Sequence, residues 1–175
     1  NHTGFKRDMC KDKECKKAHA CNLVPYKAGC CDGKTPHHVI PAHCFMPPGA
    51  RGANSDERYE GCDKYDPNDA PCVCVSGRDK SNKRKQHARI HKRFDDMEDS
   101  QPNGVWTYAS AAAAGAEATS DVTKCDKDCL TAQLNKYHNK DKGIPKNAKL
   151  RADSSGNKAP STTLKVSNVT APVAD

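Results

Sequence analysis

Apolar residues are sparse along this chain and come in short bursts. Two bursts are β-prone, Val39-Ile40 closed by Pro41, and Cys72-Val73-Cys74-Val75, and Gly, Pro, Asn and Asp bound both. Proline at the end of the first suits a strand end or hairpin beside a site. In the second, the alternation of a strand puts Cys72 and Cys74 on one face. From Ser81 or Asn82 to about Met97 there is no Gly or Pro, and Gln86, Ala88, Arg89, Ile90 and Lys92 favour helix. Pro102 to Gly104 ends that stretch. The alanine run predicts a second helix over 110–119. A third, over 122–137, carries Val122, Cys125, Cys129, Leu130, Leu134 and Tyr137 at helical spacing. That stripe reads as core. Cys125 and Cys129 are poorly placed to bridge each other, so each is expected to pair with an N-terminal cysteine.

Between these elements the chain is polar. Residues 1–34 are rich in Cys, Lys and Gly and predict a stapled, loop-rich lead-in. Residues 47–71 predict an extended loop, long enough to serve function or to be anchored by a disulfide at Cys62. Residues 139–175 hold little to bury and predict a largely flexible tail. The expected organisation is one domain over 1–138, with its core at 35–98 and accessory helices at 105–138.

Only 35% of the 175 residues are hydrophobic and 5% aromatic, so the core must be thin. The 11 cysteines supply a second source of stability, since each cross-link contributes roughly 2–4 kcal/mol by constraining the unfolded chain. Their odd number leaves at least one thiol free, paired with another chain or bound to metal, and the pairing stays open. No run of 18 apolar residues is present, and no membrane partner is expected. The chain begins at Asn1 without methionine, which fits a module cleaved from a longer polypeptide.

Charge sharpens the picture. The formal charge is +7, and Arg78, Lys80, Lys83, Arg84, Lys85, Arg89, Lys92 and Arg93 lie within one segment against a single acid, Asp79. The remaining basic and acidic residues cancel. One concentrated basic segment is what a polyanion site requires, because Lys and Arg contacts to phosphate release counterions. A solvated helix face is the plain alternative.

Four histidines carry the candidate chemistry: the doublet His37-His38, and His87 and His91 on the expected helix. Spacing of four puts both imidazoles on one face, roughly 5–6 Å apart at Cβ, close enough to share a divalent ion. Neighbours on a strand point to opposite sides, so one imidazole of the doublet could complete the metal site while the other faces substrate as a base. His43 is a possible substitute ligand. His2, His19 and His138 have no partner pattern and are expected at the surface. No nucleophile elbow, phosphate-binding glycine loop or dinucleotide fingerprint occurs, which sets aside serine hydrolases, kinases and dehydrogenases.

The pattern His37 to Pro41 (HHVIP), a short strand, then Gln86 to His91 (QHARIH) on a helix resembles the ββα-metal finger of the HNH and endonuclease VII superfamily. The stretch CNLVPY (Cys21 to Tyr26), then CCDGKTPHHVIP (Cys30 to Pro41) with Cys44-Phe45 following, resembles the GHH-signature toxin nucleases at the C-termini of bacterial type VI secretion effectors. The resemblance covers about Cys21 to Phe94. It implies an α+β fold, a small ββα-metal (HNH-like) core with additional short helices and cysteine-tied loops. It implies His37, His87 and His91 as ligands of one divalent ion (Mg, Mn, Zn or Ni), His38 as general base, and a low-specificity DNase with RNA as a further possible substrate. It also implies an acidic immunity protein, export by the producing bacterium's secretion apparatus, and action in the cytoplasm of a target cell. Two positions depart from the pattern. Pro36 replaces the signature glycine, and the superfamily's asparagine has only Asn82 as counterpart, which serves equally as a helix cap.

Two other readings compete. A zinc- and disulfide-stabilised module could bind nucleic acid without cutting it, but paired Cys-x-x-Cys knuckles are missing. A disulfide-rich interaction protein would leave the coincidence of the two histidine pairs unexplained.

Overall fold

The computed structural model describes residues 10–48, 57–158 and 163–167. His2 and the outermost parts of the lead-in and tail lie outside them. The fold is α+β. A three-stranded antiparallel sheet holds β1 (Val24–Pro25), β2 (Lys34–His38) and β4 (Pro71–Ser76) in the order β1-β4-β2. β3 (Arg58–Tyr59) pairs with β7 (Val166–Ser167), and β5 (Val105–Thr107) with β6 (Lys149–Arg151). The helices are α1 (Lys13–His19), α2 (Gln86–Asp99), α3 (Tyr108–Thr123) and α4 (Lys127–Asn135).

The strand that holds the histidine doublet starts and stops earlier than the apolar pair Val39-Ile40 suggested. β2 ends at His38, and Val39 and Ile40 leave the sheet to enter the core, 1% and 2% exposed. Among the described residues β2 pairs only with β4, so it is an edge strand, where the missing N–H of Pro36 is tolerated. Proline in place of glycine therefore leaves the alternation of His37 and His38 intact.

α2 begins at Gln86 rather than at Ser81 or Asn82. Its start is fixed by β4: Gln86 donates its N–H to Ser76 Oγ at 3.2 Å, and Ser76 donates its own to Gln86 Oε1 at 3.0 Å. This reciprocal pair satisfies one orphan helix N–H and locks the helix to the sheet. Asn82 is not the cap. It accepts from the Arg84 N–H at 3.3 Å, closing a turn ahead of the helix.

The stripe expected on one helix over 122–137 is split between two. Lys124 adopts a left-handed conformation (φ 67°) that ends α3, and Asp126 caps α4 by accepting from the Cys129 N–H. Cys125 pairs with Cys21 as expected of it, whereas Cys129 is an exposed free thiol. The other disulfides join Cys10 to Cys31 and Cys30 to Cys74. Cys62 anchors no disulfide; its thiol is buried, and burial pushes its pKa to about 12. The lead-in contains α1, which buries no side chain and is held from both ends by disulfides.

Small residues let α3 sit close to the segment that follows β2. A Cβ at Gly115 would lie 2.5 Å from the Val39 carbonyl oxygen, the residue directly after the doublet. Residues 139–158 are packed, contrary to the flexible tail and to a domain end at 138. Ile144, Ala148, Leu150 and Ala152 are core residues, and Trp106 donates from Nε1 to the Arg151 carbonyl at 3.1 Å. His138 is buried at 1% exposure rather than at the surface, stacked with Phe45. No helix among the described residues is long and apolar enough to cross a membrane.

Candidate metal centre and active site

Strand alternation sends His37 inward from β2, opposite Val73 of β4, and the helical period brings His87 and His91 of α2 to meet it. The ligand atoms of the three imidazoles all lie within 4.8 Å of one another. His37 meets His87 and His91 edge-on, with ring centroids 4.8 and 4.5 Å apart. His37 is held well below the ordinary imidazole value, first by burial and then by His91, His87 and His38. Burial likewise lowers His87, and Asp79 raises it and so opposes that burial. Both are therefore neutral at neutral pH, the state in which imidazole is a metal ligand.

Thr35 orients His87. Its hydroxyl donates its one proton to the Gly77 carbonyl, so at 3.0 Å it accepts from His87 Nδ1–H. That bond fixes the tautomer and leaves the Nε2 lone pair for a ligand, as outer partners of metal-binding histidines do. Three imidazoles converging in this way fit a divalent ion.

His38 points the other way. Its Nε2 lies 2.8 Å from the Pro67 carbonyl oxygen, and its ring stacks on Tyr26 with centroids 4.9 Å apart and planes 6° from parallel. A carbonyl only accepts, so Nε2 bears a proton, and in the neutral imidazole the lone pair is on Nδ1. Neither Pro67 nor Tyr26 is among the site residues the sequence points to: Tyr26 lies in the CNLVPY stretch of the resemblance, and Pro67 in the loop over 47–71.

The structure redistributes the basic segment. Lys80 pairs with Asp95 at 2.9 Å, Lys92 with Asp96 at 3.0 Å, and Arg93 with Asp121 of α3 at 2.9 Å. Asp95 and Asp96 follow the segment directly, and Asp121 is distant in sequence, so a count that stops at Arg93 overstates the free charge. Among the described residues, Arg78, Lys83, Arg84, Lys85 and Arg89 form no ion pair, and all are exposed. The first four lie on the turn between β4 and α2. An open groove of about 690 Å³ runs along α2 past His91, Lys83 and Arg89. Lys80 is near enough to both His37 and His87 to help depress them.

Two sequence candidates lie elsewhere. Asn82 is exposed on its turn, with no described contact to any of the four histidines. His43 does not join the three-histidine cluster; it faces Glu98 instead, Nε2 to Oε1 2.5 Å.

Comparison with known proteins places this geometry in context. No solved structure matches the chain. The DNase toxin Tse7 of Pseudomonas aeruginosa is 30% identical over 164 residues, which cover 85% of this chain and 42% of that protein. The chain thus spans less than half the length of this relative. The profile of the family described as GHH signature containing HNH/Endo VII superfamily nuclease toxin 2 matches residues 34–138, from the first residue of β2 through His138. With the doublet, the paired histidines of α2 and the strands β2 and β4 all inside that match, the chain belongs to this family of nuclease toxins.

Proposed function

We propose that the chain is the catalytic domain of a divalent-metal-dependent endonuclease that hydrolyses DNA with little sequence preference. The observation that carries this is the division of the doublet. His37 converges with His87 and His91, while adjacent His38 is turned away and fixed by Pro67 and Tyr26.

His37, His87 and His91 would hold the ion, and imidazole donors suit Zn, Mn or Ni better than Mg, which prefers oxygen ligands. When bound, such an ion neutralises charge on the phosphate and on the departing 3′ oxygen. His38 Nδ1 accepts the proton of the attacking water as its oxygen bonds to phosphorus and the bond to the 3′ oxygen breaks. Pro67 keeps the proton of the imidazole on Nε2 throughout the approach, and stacking on Tyr26 holds the plane of the ring. Arg78, Lys83, Arg84, Lys85 and Arg89 attract the phosphate backbone and read no base edge, so preference among sequences is weak. RNA offers the same backbone charge and is a second substrate to assay.

Tse7 is named a DNase toxin, which supports DNA as the target. As a toxin domain, the chain would be delivered by the producer's secretion apparatus into the cytoplasm of a rival cell. An acidic immunity protein covering the β4–α2 turn would protect the producer, since complementary charge speeds encounter.

The test is conversion of supercoiled plasmid to nicked and linear forms with Mg²⁺, Mn²⁺, Zn²⁺ or Ni²⁺, with and without chelator. Metal-dependent cleavage, lost in folded, metal-loaded His38→Ala, is the expected result. A folded, metal-loaded wild-type chain that binds DNA yet cuts neither DNA nor RNA overturns it.

A further inference from the structure

A second set of metal-ligating side chains lies away from the three histidines. The turn Ala42–Cys44, just after the strand that carries the doublet, brings His43 and Cys44 against Glu98 near the end of α2. Their ligating atoms lie within 4.8 Å of one another. Cys44 and Glu98 are both 0% exposed, and the His43 side chain is 13% exposed.

The carboxylate is partnered on one side only. Glu98 Oε1 receives His43 Nε2 at 2.5 Å, the Cys44 thiol at 3.8 Å and the Asp153 N–H at 3.1 Å. Oε2 is buried with no hydrogen-bond partner. A His43–Glu98 ion pair would explain the first oxygen and leave the second bare, at a depth where an unpartnered charged oxygen is costly. It would also leave unexplained why a thiol points at the same carboxylate.

We propose that His43, Cys44 and Glu98 form a second cation site, for Zn²⁺ or an ion of similar softness, that is structural rather than catalytic. Nitrogen, sulfur and oxygen donors together select a borderline ion, and a water completes four-coordination through the partly open His43 side. On binding, the S–H bond of Cys44 breaks, its proton leaves to solvent, and the thiolate sulfur bonds the metal. The ion ties the exit of β2 to the far end of α2. Those two elements carry all the ligands of the first centre, and along α2 the second set lies at the opposite end from His87.

Cobalt(II) serves as the probe, because a thiolate ligand gives a sulfur-to-cobalt charge-transfer band that an all-histidine site cannot. The chain is prepared with Cys15→Ser and Cys129→Ser to remove the exposed thiols, and compared with the same chain also carrying His87→Ala and His91→Ala. The expected result is two cobalt ions per chain in the first and one in the second, with the thiolate band kept. Glu98→Gln and Cys44→Ser each then weaken retention at least tenfold, and Cys44→Ser abolishes the band. If Cys44→Ser fails to fold, the histidine variant decides alone. Absence of bound cobalt in that variant, or a thiolate band that survives in folded Cys44→Ser, overturns the proposal. Neither readout depends on nuclease activity.

Discussion

His38 and Pro67 face each other across the gap between β2 and the loop that leads into β4, with imidazole Nε2 2.8 Å from the carbonyl oxygen. This one bond decides which nitrogen can act as a base. A backbone carbonyl cannot be removed by mutation, so the imidazole is the place to intervene. His38→Gln is expected to fold and to bind metal as the wild type does, because His38 is outside the three-histidine cluster. Its turnover on plasmid should fall by about 10²–10⁴, the usual contribution of a positioned base. A variant that loses metal together with activity would make His38 a ligand and remove it as the base.

The ion pairs of α2 separate two kinds of basic residue. Lys83, Arg84 and Lys85 are exposed and unpaired among the described residues, whereas Lys92 and Arg93 are held by Asp96 and Asp121. Each cation that contacts phosphate adds about one to the slope of log affinity against log salt. Replacing Lys83, Arg84 and Lys85 by Gln should therefore lower the slope of DNA binding by about three. Replacing Lys92 and Arg93 should lower it by less than about one. Equal effects from both sets would mean that the helix pairs open on DNA.

The parts of the site that were legible in the sequence are those governed by local periodicity. Alternation along a strand and the 3.6-residue turn of a helix fix where His37, His38, His87 and His91 point before any tertiary contact forms. Periodicity cannot report what arrives from elsewhere in the chain. Asp121 neutralises Arg93 from another helix, and Pro67 orients His38 from a loop. The packed stretch after His138 did carry a signal, the alternation of Ala148, Leu150 and Ala152, but a polar average over 139–175 hides three small apolar positions that matter only once Trp106 lies beside them. Asn82 shows the reverse error, a capping residue whose helix begins four positions later because Ser76 and Gln86 set its start.

Gly115 tests how tightly the doublet is backed. With its missing Cβ 2.5 Å from the Val39 carbonyl oxygen and 3.1 Å from Val39 Cγ1, Gly115→Ala must push α3 and the residue after His38 apart. Overpacking of this kind costs about 1–3 kcal/mol, even though alanine is the better helix former. Urea denaturation should show that loss together with a drop in cleavage, since the displaced backbone is contiguous with His38, the proposed base. A variant as stable as wild type would show that the two elements separate freely.

The disulfide Cys21–Cys125 closes a loop with a sequence separation of 104, against 21 for Cys10–Cys31. Chain entropy then predicts a loss of about 4–5 kcal/mol on removing the longer link and about 3 kcal/mol for the shorter. Gln133 reinforces the longer one by accepting from the Leu23 N–H at 2.8 Å and donating to the Cys21 carbonyl at 3.0 Å. Comparing urea midpoints of Cys21→Ser/Cys125→Ser and Cys10→Ser/Cys31→Ser tests the order. A smaller loss from the first pair would mean that these contacts hold the lead-in without the covalent link.

His138 makes stability depend on pH in a direction that can be worked out. Burial among Phe45, Tyr65, Tyr108 and Tyr137 drops its pKa from 6.5 to about 3 in the folded chain, and its Nδ1 has no hydrogen-bond partner. Above pH 6.5 both folded and unfolded states hold it neutral, and it contributes no slope. As pH falls below 6.5 the unfolded chain takes up a proton that the folded chain refuses, so stability declines until about pH 3 is reached. The decline approaches about 1.4 kcal/mol per pH unit for one proton, and His37, also depressed by burial, adds to it in the same direction. His138→Phe keeps an aromatic ring beside Phe45 and cannot titrate. Its urea unfolding free energy, measured between pH 6 and pH 4, should fall with a slope smaller by about one proton than that of the wild type. An unchanged slope would mean that the folded chain admits the proton at His138 after all.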